Sequence, residues 1–403
     1  MKISMICYTL TGQQTGEKLK KELEKEGHLV SLFTKSKYIQ DSIKESCRDW
    51  TKEQFESADS IIFIGATGIA VRSIAPFVQS KKKDPAVLVV DECGKFVISL
   101  LSGHLGGANE LAHMAADILK AIPVVTTATD LEGKFAVDVF AKKNNCHIFR
   151  MKEAKEVSAA LLAGEKVGFY SEFPWDGKLP DGLIGCKAGT AFSEVQVESA
   201  ADKLFPEMQM KTVDGSSLPK VGIAVTIHKN CIPFLSTTHV VPPAVVLGMG
   251  CRKNKEPEAV ESAAYKCLEK NEIYPEAVAA LASIDVKKEE PGLLGLAEKL
   301  GVPFETYSSE QLLAVQGDFT PSSFVSQTVG VDNVCERSAV KAAKDLFPCR
   351  KENRSAQDTK NISNETNNYK TDKQADVTII QRKHGAEGVT TALALGDWRF
   401  RFE

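Results

Sequence analysis

The sequence predicts a multi-domain α/β protein, with mainly parallel sheets flanked by helices and a smaller middle domain. Three observations carry this. Short runs of large apolar residues recur along the chain, charged amphipathic stretches at helical spacing separate them, and the chain has 403 residues. Unbroken apolar runs suit strands covered on both faces, and alternation with helices favours parallel pairing. At about 150 residues per domain the length fits two or three domains.

In chain order, residues 2–10 (KISMICYTL) read as a compact apolar strand, Gly16 to Gly27 as a charged amphipathic helix and residues 28–33 (HLVSLF) as a second strand. Ser60–Gly65 (SIIFIG), Ala86–Val90 (AVLVV) and Lys95–Leu101 (KFVISLL) follow as strands. Residues 106–121 carry apolar side chains at helical spacing, and 123–130 (PVVTTATD) read as one more short strand. These define a domain over 1–142. A middle domain, 143–240, holds a helix (152–165), the strand KVGFYS, a Gly-, Pro- and Asp-rich loop (171–182) and the strand VGIAVTIH. Pro242-Pro243 marks a linker.

The third domain, 244–403, opens with the strand AVVLGMGC and the helix PEAVESAAYKCLEKN, then continues in strand–helix units to Leu346. Residues 351–376 carry five basic and five acidic residues and almost nothing apolar, which predicts a mobile insertion. DVTIIQR and GVTTALAL then read as strands completing this domain's sheet.

Charge is near balance: 50 Lys and Arg against 53 Asp and Glu, net −3. That excludes a strongly basic nucleic-acid binder and an acidic solvating tail, so an anionic partner must be held by local arrangements. No apolar run approaches the ~20 residues of a membrane span, and the N-terminal apolar run is short for a signal peptide. The expectation is a soluble, cytoplasmic protein. None of the ten cysteines forms a CxxC pair, which argues for reduced thiols rather than a zinc site or disulfide scaffold.

Ligands of parallel sheets gather where strands end and helices begin. Gly65-Ala66-Thr67-Gly68 leaves a strand, and its glycines and free N–H groups suit an anion, with Arg72 placed to clamp a carboxylate. On physics alone a tight strand–helix turn with no ligand is the favoured reading. No GxGxxG or GxxxxGK[ST] occurs, so nucleotide binding is unsupported. Asp91 and Glu92 follow the next apolar run, as a general base or as turn residues before Gly94.

The most informative loop is Ser102-Gly103-His104-Leu105-Gly106-Gly107-Ala108-Asn109. Its glycines imply positive φ or a close approach, and His104 titrates near neutrality. His104 is read either as catalytic or as a hydrogen-bonder that stabilises the loop. His113, nine residues on, does not form a metal pair with it. Thr126-Thr127-Ala128-Thr129-Asp130 puts hydroxyls and a carboxylate after another strand, while Gly250, Cys251 and Arg252 do similar work in the third domain. Cys251 beside Arg252 and Lys253 is either an activated thiol or a small residue at a strand end.

Together these stretches resemble the cobalt-precorrin-5A hydrolase (CbiG) family. The carrying segments are GATGIAVRSIAP (65–76), residues 84–112, PVVTTATD (123–130), VVLGMGCRKN (245–254), residues 282–304 and VGVDNVCERSAVKAA (329–343). The resemblance implies hydrolysis of the δ-lactone of cobalt-precorrin-5A, with release of acetaldehyde, to give cobalt-precorrin-5B in anaerobic cobalamin biosynthesis. It implies no protein cofactor or metal, since cobalt belongs to the tetrapyrrole substrate.

The resemblance marks the motif positions without assigning catalytic roles. On chemical grounds His104 with Asp91 or Glu92 is the choice for acid–base work, beside Thr129 and Asp130, with Thr129 and the Gly106–Gly107 N–H groups for the oxyanion. Gly65, Thr67, Gly68, Arg72, Ser102, Gly103, Gly106, Gly107, Asn109, Thr126, Thr127, Gly250 and Arg252 would bind substrate. A homo-oligomer and hand-over contacts with pathway methyltransferases stay open; nucleic acid and membrane are not expected as partners. The competing reading is a non-enzymatic carrier of tetrapyrrole intermediates, against which His104 argues.

Overall fold

The computed structural model describes residues 1–80, 83–104, 106–188, 210–212, 217–348 and 377–402. The expected insertion at 351–376 lies outside the described residues. The chain divides into two compact units, one of Met1–Lys142 with Leu161–Glu165, the other of the remainder.

The first unit begins with the expected alternation: β1 (Lys2–Cys7), α1 (Leu10–Lys25), β2 (Leu29–Thr34), α2 (Cys47–Ser57), β3 (Ser60–Ile64), α3 (Thr67–Ile74) and β4 (Ala86–Val90). It continues through β5 (Phe96–Leu101), α4 (Ala108–Leu119), β6 (Ile122–Val124), α5 (Ala128–Leu131) and α6 (Val137–Lys143). Its sheet has the order β2-β1-β3-β4-β5-β6. Strand residues alternate between its faces. Ile62, Ile64, Leu88 and Val90 pack with Leu19, Leu23, Leu111 and Ala115 on one side. Ile61, Phe63, Val87 and Val89 pack with Trp50 on the other. The Trp50 ring meets Phe33 and Phe63 edge-on at 5.6 and 6.0 Å.

One pair departs from the parallel rule: β5 runs antiparallel to β4, and β6 then runs parallel to β5. The reason is spacing. Only Asp91–Lys95 joins β4 to β5, far short of the dozen or more residues that a parallel crossover requires. The stretch expected as a strand over 123–130 also divides, into the end of β6 and the short helix α5.

The second unit carries two larger sheets. β7 (His147–Phe149), α7 (Met151–Leu162), β8 (Val167–Ser171), β9 (Trp175–Asp176), β10 (Leu183–Ala188), β11 (Met210–Thr212), β12 (Val221–Val225) and β13 (Ser236–Val241) come first. Their sheet has the order β11-β10-β8-β12-β13-β7, with β9 apart from it inside the Gly- and Pro-rich loop. β14 (Val245–Cys251), α8 (Pro257–Lys270), β15 (Val278–Ile284), α9 (Pro291–Leu300) and β16 (Phe304–Tyr307) follow. Next are α10 (Ser309–Leu313), α11 (Ser323–Val329), α12 (Cys335–Leu346), β17 (Thr378–Ala386), β18 (Val389–Leu395) and β19 (Phe400–Arg401).

The last sheet runs β16-β15-β14-β18-β17, and its β14/β18 and β17/β18 pairs are antiparallel. Gly248 lets α12 press onto β14: a Cβ there would lie 1.9 Å from the Cys335 carbonyl oxygen. The chain end returns to the middle segment, where β19 pairs with β9 and buries Phe400 and Phe402 against Phe169. Among the described residues no helix is long and apolar enough to cross a membrane.

Candidate functional site

The reversal at β5 decides where the chemistry gathers. β5 and β6 end at the edge of the sheet where β4 begins, and Ser102 Oγ donates to the Asp84 carbonyl just ahead of β4. The loops after β5 and β6 therefore share one end of the sheet. There His104 Nε2 lies 2.8 Å from Asp130 Oδ2, and Asn109 Nδ2 donates to the same oxygen at 2.8 Å. Asn109 also reaches Thr127 Oγ1 at 3.2 Å, and Ser99 Oγ donates to Asn109 Oδ1 at 2.6 Å. Ser99 and Asp130 together set which way the amide points. Thr129, nearly buried, brings its hydroxyl to 3.5 Å from His104 Nε2.

The glycines of this loop are explained by the protein's own atoms. A Cβ on Gly103 would sit 2.8 Å from Asn109 Oδ1, and one on Gly106 would sit 2.4 Å from Ser102 Cβ. Gly107 has φ +84 at the N-cap of α4, a left-handed conformation that favours glycine. Its N–H donates to the His104 carbonyl at 3.0 Å, so it is engaged in the turn rather than held open for an oxyanion.

A second carboxylate completes the cluster. Asp138 Oδ2 on α6 lies 3.4 Å from His104 Nδ1, and the His104 and Asp138 side chains are only 14% and 13% exposed. Asp130, at 38%, is the more open carboxylate. The hydrogen bond to Asp138 raises the His104 pKa above its ordinary value; burial opposes this, and Asp130 adds to it. Sequence reasoning missed Asp138. A signal existed: an acid set between valines and ahead of Phe140 and Ala141, with Val137, Phe140 and Ala141 buried in the fold. A buried acid needs a partner, but the sequence did not say which.

The other candidates lie elsewhere. Asp91 is a turn residue: its carboxylate accepts N–H groups of Cys93, Lys95 and Phe96 at 3.0, 2.7 and 2.6 Å. Glu92 accepts Thr9 Oγ1 at 2.7 Å. Both sit in the β4–β5 hairpin, at the opposite end of the sheet from His104, so the expected pairing of His104 with Asp91 or Glu92 does not form. Gly65 is at that same far end, its N–H bonded to the Val90 carbonyl. Thr67 and Gly68 open α3, and Arg72 Nη1 folds back to the Gly68 carbonyl at 3.2 Å.

Thr126 precedes Thr127 in the β6–α5 connection on the His104 side. Gly250 and Arg252 belong to the second unit, where Arg252 N–H donates to the Gly388 carbonyl. Burial pushes the Cys251 thiol up, against an activated thiolate. Buried Glu336, near Asn333 in the third segment, accepts Thr320 and Lys383 N–H groups at 3.0 and 2.6 Å and holds a loop. Among the described residues no group of three or more His, Cys, Asp or Glu is arranged to hold a metal ion.

Comparison with known proteins agrees in all three segments. The models described as Cobalamin synthesis G N-terminal, Cobalamin biosynthesis central region and Cobalamin synthesis G C-terminus match residues 49–130, 135–242 and 245–394. The chain is 34% identical over 339 residues to a cobalt-precorrin-5A hydrolase of Salmonella typhimurium, covering 82% of this chain and 89% of that protein. A cobalt-precorrin-5A hydrolase of Priestia megaterium is 31% identical over 71% of this chain and 73% of its own. A probable cobalt-precorrin-5A hydrolase of Methanocaldococcus jannaschii is 25% identical over 98% of this chain and 99% of its own. The chain belongs to the cobalt-precorrin-5A hydrolase family.

Proposed function

We propose that this protein hydrolyses the δ-lactone of cobalt-precorrin-5A and releases acetaldehyde, leaving cobalt-precorrin-5B, with His104 and Asp130 as the proton-transfer pair. The observation that carries the site is the 2.8 Å contact between His104 and Asp130, at the end of the sheet where the Asp130 carboxylate stays partly open to solvent.

Water adds across the acyl–oxygen bond: the acyl carbon becomes a carboxylate and the ring oxygen an alcohol. Loss of the alcohol proton then breaks the carbon–carbon bond to the macrocycle. The electron pair stays with the macrocycle carbon, which takes up a proton, and acetaldehyde departs. Each step moves a proton, which is the work a histidine–carboxylate pair does.

Lys142 offers a cation for a substrate carboxylate at this end of the sheet. Its Nζ lies 3.1 Å from where a Gly107 Cβ would stand. Cobalt enters with the substrate, and the chain supplies proton transfer and anion binding.

The test is to incubate the purified protein with cobalt-precorrin-5A and assay acetaldehyde. Release matched to loss of the lactone supports hydrolysis. Binding without acetaldehyde would instead describe a carrier.

A further inference from the structure

We infer that Asp138 is a positioning residue that keeps His104 protonated, so that the His104–Asp130 pair meets the lactone as an acid. The inference rests on the proposed hydrolysis and deepens it.

The argument is geometric. Carboxylate oxygens face both ring nitrogens of His104, Asp130 at 2.8 Å from Nε2 and Asp138 at 3.4 Å from Nδ1. A neutral imidazole carries one N–H, so one ring lone pair would point at a carboxylate oxygen. An imidazolium satisfies both sides. The two acids approach from different elements, Asp130 from α5 and Asp138 from α6. Lys142 and Glu110 lie beside Gly107, three residues along the same loop, while the charges that act on His104 are Asp138 and Asp130. With His104 and Asp138 mostly withdrawn from solvent, their attraction is weakly screened.

Burial alone would lower a histidine's pKa, as it does for His239 in the second unit, which falls to about 4 with a Tyr274 hydroxyl at 2.9 Å and Arg150 nearby. At His104 the carboxylates outweigh burial and the shift is upward. The chemistry then balances. As the acyl–oxygen bond breaks, its electron pair goes to the ring oxygen, which takes the stored proton. The attacking water leaves its oxygen on the acyl carbon, and its proton refills the pair.

The experiment follows His104 by nitrogen NMR through a pH titration of the full-length protein, beside the pH profile of acetaldehyde release. In the wild type His104 is expected to titrate above 6.5, the ordinary value. In Asp138→Asn its midpoint and the basic limb of the rate profile move together to lower pH, by about one unit or more. Asp138→Glu restores both.

The inference is overturned if wild-type His104 titrates at or below 6.5, or if Asp138→Asn leaves midpoint and limb unmoved. Should Asp138→Asn not fold, a wild-type midpoint at or below 6.5 still overturns the inference, and Asp138→Ser takes its place in testing whether midpoint and limb move. His104→Gln separates the two levels: wild-type acetaldehyde release in that variant would refute the proposed site. Loss of activity there, with unmoved midpoints in Asp138→Asn, would refute only the role of Asp138.

Discussion

The two ends of the first unit's sheet carry similar ingredients, glycine-rich loops with carboxylates, and use them differently. At the β4–β5 end, Asp91 accepts three backbone N–H groups of its own hairpin. At the β5–β6 end, Asp130 accepts from the side chains of His104 and Asn109, which come from other segments. A carboxylate saturated by the amides of its own turn fixes a shape. One whose partners are a titratable ring and an amide can gain or lose a proton while the backbone stays put. Partner type, rather than residue type, separates structure from chemistry here.

The largest expected effect that tests this contrast is His104→Ala, which should cut acetaldehyde release by about 10²–10⁴-fold. Near-normal turnover would remove the distinction between the two ends. Next is Gly106→Ala. A Cβ 2.4 Å from Ser102 Cβ and 2.7 Å from its carbonyl oxygen forces the His104 loop to move, and an ångström-scale misplacement costs about 10²-fold in turnover. At the hairpin, Gly94→Ala meets Thr15 at 3.3 Å and Leu119 at 3.7 Å but keeps φ +67, so it should destabilise by about 1–2 kcal/mol, read by urea unfolding, with turnover retained.

The paired carboxylate test is sharper still. Asp130→Asn should lower turnover by about 10²-fold. Asp91→Asn should leave turnover near the wild-type rate and cost about 1–2 kcal/mol of stability. If the two swap roles in kinetics and unfolding, the assignment of ends is reversed.

The smallest effect is on stability against pH. The folded-state pKa of His104 is raised, so its contribution is complete below the unfolded value near 6.5 and disappears as pH rises through the folded one. Unfolding midpoints of the wild type measured upward from pH 6.5 should decline more steeply than those of His104→Ala. Parallel curves would count against the ion pairs.

Much of the fold was legible because strand and helix signals are local. AVLVV and KFVISLL fall within a residue of β4 and β5. The hairpin between them was legible too, since five residues do not span a parallel crossover; the expectation of a mainly parallel sheet passed over that length. The site was half legible. His104, Asn109, Thr127, Thr129 and Asp130 lie together, whereas Asp91, Glu92, Gly65 and Arg72, adjacent in the reading, are carried to the far end by the reversed strand. The partner of Asp138 was out of reach, because His104 is 34 positions back in the sequence and only packing joins them.

The sequence by itself determined the apolar strands, the glycines that no side chain can replace and the family to which the chain belongs. All of these rest on local sterics, hydrophobic periodicity and residue identity. Tertiary structure alone decided which carboxylates meet His104, and with that the upward direction of its pKa. Strand direction sets which loops share an edge, and a proton's affinity depends on the few ångströms between groups that sequence distance does not encode.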